Sequence, residues 1–151
     1  MTGVVTAGAG FLLAVLWFDL MFDVQVRGHR GEVLPERVLA SIAGYYRRVT
    51  TDARPMNRFV SIGMLVTLAG LAGEAVTGEP GLVWVAASAC LAVPPIVLAG
   101  TRVFPNAVRL ATRADDTATQ SAIAREIHRD HWYCFVSIFG LLAVQALAAV
   151  A

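Results

Sequence analysis

The sequence predicts an all-α protein, a transmembrane up-down four-helix bundle with an amphipathic inner-leaflet helix in its first loop, and three observations predict it. Of the 151 residues, 57% are hydrophobic and the mean hydropathy is +0.64, well above what a soluble domain of this size carries. Four segments, residues 4–24, 59–76, 82–103 and 132–151, are apolar and long enough to cross a hydrocarbon core of about 30 Å, which takes about 20 helical residues. The third observation is charge sorting. Every basic side chain apart from histidine is arginine, and all twelve arginines lie in two of the connecting segments. Residues 1–151 therefore read as one integral membrane domain, with no separate soluble unit.

The first span begins almost at Met1, lacks a basic leading region and runs into Trp17, Asp19 and Asp23. With no small-residue cleavage site in that stretch, it reads as a retained span and not a signal peptide. The loop that follows carries Arg27, Arg30, Arg37, Arg47, Arg48, Arg54 and Arg58, and the loop before the last span carries Arg102, Arg109, Arg113, Arg125 and Arg129. The intervening turn, residues 77–81, holds only Glu79 as a charge, among Gly78, Pro80 and Gly81. The positive-inside rule then puts both arginine loops in the cytoplasm and both termini outside. An all-arginine, lysine-free composition points to a GC-rich bacterial source, hence to the bacterial inner membrane.

Within the first loop, Pro35 stands where a helix would start, and Val38, Ile42, Tyr45, Tyr46 and Val49 recur at helical spacing on one face. This predicts an amphipathic helix over residues 34–49. Its apolar stripe is too short to span, so it either lies on the inner leaflet, with the tyrosine pair at headgroup depth, or packs on the cytoplasmic end of the bundle. In the second span Gly63, Thr67, Ala69, Gly70 and Gly73 make small-xxx-small spacings that serve contacts within the bundle or a homodimer. Pro94-Pro95 in the third span removes two backbone donors and predicts a kink. Asp115 or Asp116 is a candidate cap for one long helix running from Thr117 towards the C-terminus.

Ionisable groups at membrane depth carry the functional argument, because a carboxylate near a span centre costs about 2.5–3.5 kcal/mol on insertion scales. Glu74, near the outer end of its span, is close enough to water to snorkel. Asp19 and Asp23, four apart on one helical face, are deeper. Asp19 needs either an arginine partner (Arg54, Arg58 or Arg102) or a site shared with the last span. There the run His128-Arg-Asp-His131-Trp132-Tyr-Cys134 faces the same membrane side, and the first and fourth helices of an up-down bundle are commonly neighbours. Asp19, Asp23, His128 and His131 are thus the candidate catalytic residues, and Arg102 a candidate substrate contact. His128 and His131 are candidate metal ligands, since imidazole with carboxylate suits zinc, iron or manganese; proton relay or polar-ligand binding uses the same groups.

The stretch Val103-Phe104-Pro105-Asn106, followed by a polar loop leading to His128 and Trp132, resembles the anthrone-oxygenase-like family of small four-span membrane proteins over about a third of the chain. The resemblance implies a cofactor-independent oxygenase acting on polycyclic phenols, with Asn106, His128 and Trp132 as the matching positions and Asn106 and Trp132 as substrate contacts. No cofactor is named by the residues themselves, and no phosphate loop, dinucleotide fingerprint, nucleophile elbow or zinc-protease motif is present. Cys90 and Cys134 are too few and too deep for a disulfide framework. The partners implied are the lipid bilayer and a lipophilic small molecule, with a homodimer or a larger membrane complex as further options and no nucleic acid. A proton-coupled transporter or channel in which the aspartates titrate, and an accessory subunit docking through its second span, are the alternative functions.

The topology is testable through single cysteines in a background lacking Cys90 and Cys134. Cysteines at Thr77 and Ala151 are expected to react with an impermeant thiol reagent from outside intact cells and one at Thr112 is not. Labelling of the Thr112 position from outside would invert the orientation.

Overall fold

The computed structural model describes residues 2–151, and the side chains of residues 54–56 lie outside that description. Six α-helices follow one another: α1 (Thr2–Asp23), α2 (Glu36–Arg47), α3 (Arg54–Thr77), α4 (Leu82–Leu98), α5 (Phe104–Thr112) and α6 (Thr117–Ala148). No strand occurs among the described residues. Counting the 3₁₀ turn after α1 and the π-helical turn joining α4 to α5, four helical stretches are long and apolar enough to cross a bilayer. They pack as a square in which α1 touches α3 and α6, and α4 touches α3 and α6, the antiparallel up-down order. Outward-facing Phe59, Leu65, Val83, Val136 and Phe139 are all more than half exposed. Apolar groups in that density suit lipid contact and would be a liability in water, and the chain is a multi-pass membrane protein.

Local chemistry explains where the helices stop. Gly78 takes a left-handed φ of 73° at the end of α3, where its N–H donates to the Glu74 carbonyl at 2.9 Å, the usual way a helix closes its last turn. Asp116 caps α6, its carboxylate accepting from the Thr119 N–H at 2.9 Å. The hydroxyl of Thr119 donates to the same carboxylate, and together these bonds hold the exposed Asp116 carboxyl below its ordinary range. Helix α4 continues through Pro94 and Pro95, and regular geometry is lost only beyond them, in a π-helical turn over Ala99–Val103. A second π-helical turn, Arg48–Asp52, follows α2.

The small-residue face of α3 is used inside the molecule. A Cβ on Gly70 would meet Val5, one on Gly63 would meet the Phe11 ring, and Gly8 of α1 faces the buried Thr67 in return. Close approach of α1 and α3 is therefore what these spacings serve. Between the two ends of the bundle lies an apolar layer of Val5, Ala9, Leu12, Leu71, Ala92, Ile138 and Leu141. Beyond it, at the glycine-turn end, Glu74 is fully buried and does not snorkel to water as its position in the span predicts. Its Oε2 accepts from Gln145 Nε2 at 3.1 Å, and the same amide donates to Ser88 at 3.0 Å. The side chain turns inward because Gln145, on the facing helix α6, supplies a donor at its depth.

At the arginine-bearing end a second core forms. Val38, Leu39, Ile42, Ala43 and Tyr46 of α2 are buried with Val103, Ala107 and Leu110 and with Ile123, Ala124 and Ile127 of α6. The amphipathic helix exists as predicted, but its apolar stripe meets α5 and α6, not lipid; of the two readings, packing on the bundle end is the one adopted. The reason is that α5 and the start of α6 carry apolar side chains of their own, Ala107, Leu110, Ile123 and Ile127 among them, and the α2 stripe covers these. Arg125 ties the loop down by donating to the carbonyls of His29, Gly31 and Glu32. Replacing Ile42 by Asp, which buries a charge in this core, is expected to cost more than about 3 kcal/mol. Ser41→Asp, on the exposed side, is expected to cost under about 1 kcal/mol. Thermal unfolding in detergent reads the difference, and equal tolerance would mean the α2 face is not packed.

Candidate functional site

Asp19 and Asp23 stand one turn apart near the end of α1, and α2 folds back beneath them so that two consecutive tyrosines answer two carboxylates. The Tyr45 hydroxyl donates to Asp19 Oδ1 at 2.7 Å and the Tyr46 hydroxyl donates to Asp23 Oδ1 at 2.6 Å. His131 of α6 closes the arrangement. Its Nδ1 lies 2.6 Å from Asp23 Oδ2, and its Nε2 lies 3.7 Å from Asp19 Oδ2. Asp23 is fully buried, His131 and Tyr46 nearly so, while the Asp19 side chain is 14% exposed. Phe22 stacks on Tyr45 with ring centroids 4.1 Å apart, which holds that ring in place.

The division of labour follows from these distances. Asp23 is saturated by a phenol and an imidazole, so it fixes the ring orientation and stabilises positive charge on His131. Its bond to Nδ1 leaves Nε2 as the free nitrogen, turned towards Asp19. Burial, reinforced by the adjacent carboxylates, pushes the Tyr45 and Tyr46 phenols well above their ordinary range. Both therefore remain hydrogen-bond donors at neutral pH.

This cluster opens on a cleft of about 310 Å³, at the lower end of the volumes typical of small-molecule sites. Its walls are Val15 and Phe18 of α1, Val49 after α2, Val60 of α3, and Val103, Phe104, Ala107 and Val108 at the α4–α5 junction. Asp19, Tyr45, Tyr46 and His131 supply the titratable groups, with Thr50 and Asn57 as the remaining polar lining. A smaller extension of about 40 Å³ runs deeper past Leu16, Met64, Pro95, Ile96 and Cys134. Both π-helical turns contribute wall residues, Val49 and Thr50 from one and Ala99 and Val103 from the other. Such turns widen a helix locally and recur at functional sites.

The other sequence candidates sit elsewhere. Arg102 is not Asp19's partner: it forks onto Asp130 with two bonds of 2.7 Å and approaches Glu126 at 3.3 Å. Asn106 donates to Glu126 at 3.1 Å, so these residues clasp the α4–α5 junction to α6. Arg58 forms no ion pair among the described residues, and the side chain of Arg54 lies outside them. His128 and Trp132, one turn apart on α6, meet Arg27 instead. The Arg27 Nε–H donates to His128 Nε2 at 3.1 Å, and its guanidinium lies 5.0 Å over the Trp132 ring. Asp130 and His128 point about 160° apart around α6, with His131 between them, which is why one helix serves three separate groups.

Neither Asn106 nor His128 nor Trp132 lines the cleft. Among the described residues no group of three or more His, Cys, Asp or Glu side chains is arranged to hold a metal ion, and the two imidazoles proposed as ligands have separate partners. Cys134 is buried against the Pro95 carbonyl and Cys90 is free. No family model, curated protein or solved structure matches the chain.

Tyr45 and Tyr46 are the site residues that reading the sequence for chemistry missed. The available signal was a pair of phenols on the apolar stripe of an amphipathic helix, following a pair of aspartates one turn apart. Tyr46→Phe leaves a buried carboxylate short of a donor and is expected to destabilise the protein by about 1–3 kcal/mol. Tyr45→Phe, nearer the rim, is expected to cost less. Thermal unfolding in micelles ranks the two, and the reverse order would remove Asp23 from the centre of the cluster.

Proposed function

We propose that the cleft binds a lipophilic small molecule carrying a hydroxyl or carbonyl group, and that His131, backed by Asp23, exchanges a proton with it. The observation that carries this reading is an apolar cleft whose titratable lining is confined to Asp19, Tyr45, Tyr46 and His131. An apolar body would be held by the walls and a polar head by Asp19 and the free Nε2 of His131. Phe18 and Val108 at the rim are exposed, which leaves a route from the bilayer at the arginine-bearing, cytoplasmic end.

The likeness of the second half, from Val103 into the last span, to the anthrone-oxygenase-like family implies a substrate class, a polycyclic phenol. In that reading the chain is a cofactor-independent oxygenase with dioxygen as the oxidant, and His131 is the proton-accepting group, taking the phenolic proton on Nε2 while Asp23 compensates the resulting charge. Asn106, His128 and Trp132, the residues that carry the likeness, lie outside the cleft, so the support for this reading comes from the cleft and not from those positions. The transporter alternative draws less support, because the apolar layer of Leu12, Leu71, Ile138 and Leu141 separates the Asp19 cluster from Glu74 within one chain. The accessory-subunit alternative draws less support, since Gly63 and Gly70 of α3 face α1.

A fluorescent hydroxyanthraquinone is a suitable probe for the purified protein in micelles. Binding is expected to weaken about tenfold or more on Asp19→Asn or His131→Gln, the effect of losing one hydrogen bond to a charged group. Val108→Trp, which narrows the opening without entering the core, is expected to weaken binding with no change in unfolding temperature. His128→Gln is expected to leave it unaltered. Equal binding to all four variants would mean the probe partitions into the micelle and the cleft is not its site.

A further inference from the structure

A second site stands on the outer surface of the α1–α6 pair, away from the cleft and independent of the reading given to it. Arg27 can only donate, so the His128 Nε2 it contacts at 3.1 Å must accept. A neutral His128 therefore carries its proton on Nδ1, and that atom is closed to solvent and has no partner. The indole N–H of Trp132 is likewise buried without an acceptor. Arg27 itself is exposed and forms no ion pair among the described residues. Three donors from one small patch, one of them cationic, thus lack the oxygen acceptors that such groups require.

What surrounds them identifies the source of those oxygens. From Arg27 an aromatic track descends along the helices, with the Trp132 and Phe135 rings 5.8 Å apart and the Phe135 and Trp17 rings 6.1 Å apart. Trp17 is 57% exposed on the lipid-facing side of α1. A cation at the end of a span above a column of two half-buried rings and one exposed ring matches a lipid whose chain lies on the rings and whose headgroup meets the cation. We propose that Arg27, His128 and Trp132 bind the phosphodiester of an anionic glycerophospholipid, with its acyl chain along Phe135 and Trp17. On binding, the Arg27 guanidinium swings from the indole face to the phosphate. The nitrogen it leaves, His128 Nε2, takes the ring proton and donates in its place, and the Trp132 N–H turns from its closed position towards the same headgroup. Arginine suits this exchange because its planar fork serves both an aromatic face and a phosphate.

The test uses the full chain in a neutral detergent, with phosphatidylglycerol added and retention read by native mass spectrometry alongside the unfolding temperature. Phosphatidylglycerol is expected to be retained and to raise the unfolding temperature, with affinity falling about tenfold in Arg27→Gln, as for the loss of one charge-assisted hydrogen bond. Trp132→Phe keeps an aromatic ring against Phe135 but removes the N–H, so a smaller loss of retention than in Arg27→Gln is expected, read against each variant's own lipid-free unfolding temperature. Inorganic phosphate and glycerol 3-phosphate are expected to give no protection at matched concentration. Equal protection by either would overturn the lipid assignment in favour of a soluble oxyanion. Retention undiminished in both variants would sink the site itself.

Discussion

Two carboxylates one turn apart on a membrane helix set the terms for half of this molecule. Asp19 and Asp23 sit where ionised groups are costly unless several donors converge on them, and α1 has none of its own to offer. The donors come from α2, through Tyr45 and Tyr46, and from α6, through His131. To deliver two adjacent phenols, α2 must run back under the end of the bundle at one particular rotation. That rotation also buries Val38, Leu39 and Ile42 against α5 and α6. Polar satisfaction and apolar burial are therefore met by the same placement of one short helix.

The other half of the bundle solves a smaller version of the same problem. Glu74 accepts from the Gln145 amide, which also donates to Ser88, so its partner is a neutral group at the end of the molecule where no arginine is found. Between the two polar centres the packing is dry and close, held by glycines that let α1 and α3 approach. Regular packing of that kind leaves little room. The cleft instead forms where regularity fails, at the π-helical turns beside Pro94-Pro95 and after α2, and it is there that the Asp19 cluster becomes reachable.

How much of the site was legible depended on the partner, not on the group in need. That Asp19 requires a counterpart follows from depth and side-chain length, and His131 was among the candidates named for it. An arginine from the same membrane face was an equally sound candidate, yet Arg102 is taken by Asp130 and Arg58 forms no ion pair among the described residues. Glu74 read as a snorkelling surface group because Gln145 lies 71 positions away in the chain, and nothing local links the two. The tyrosines were visible as amphipathic residues but not as donors, since their targets lie on a different helix.

By itself the sequence determined the four apolar helices, their antiparallel order, the glycine and aspartate that end and begin them, and the segregation of every arginine to one end. These features rest on composition, periodicity and nearest-neighbour capping, all of which act over a few residues. Only the tertiary structure decided which carboxylate met which donor, that α2 covers α5 and α6, and where a cleft opens. Those outcomes hinge on the rotation of each helix about its axis, and a single residue step of about 100° exchanges one partner for another. That rotation is set jointly by the close α1–α3 contact, the proline-bearing α4 and the two cores. It is a property of the assembled bundle that no one segment carries.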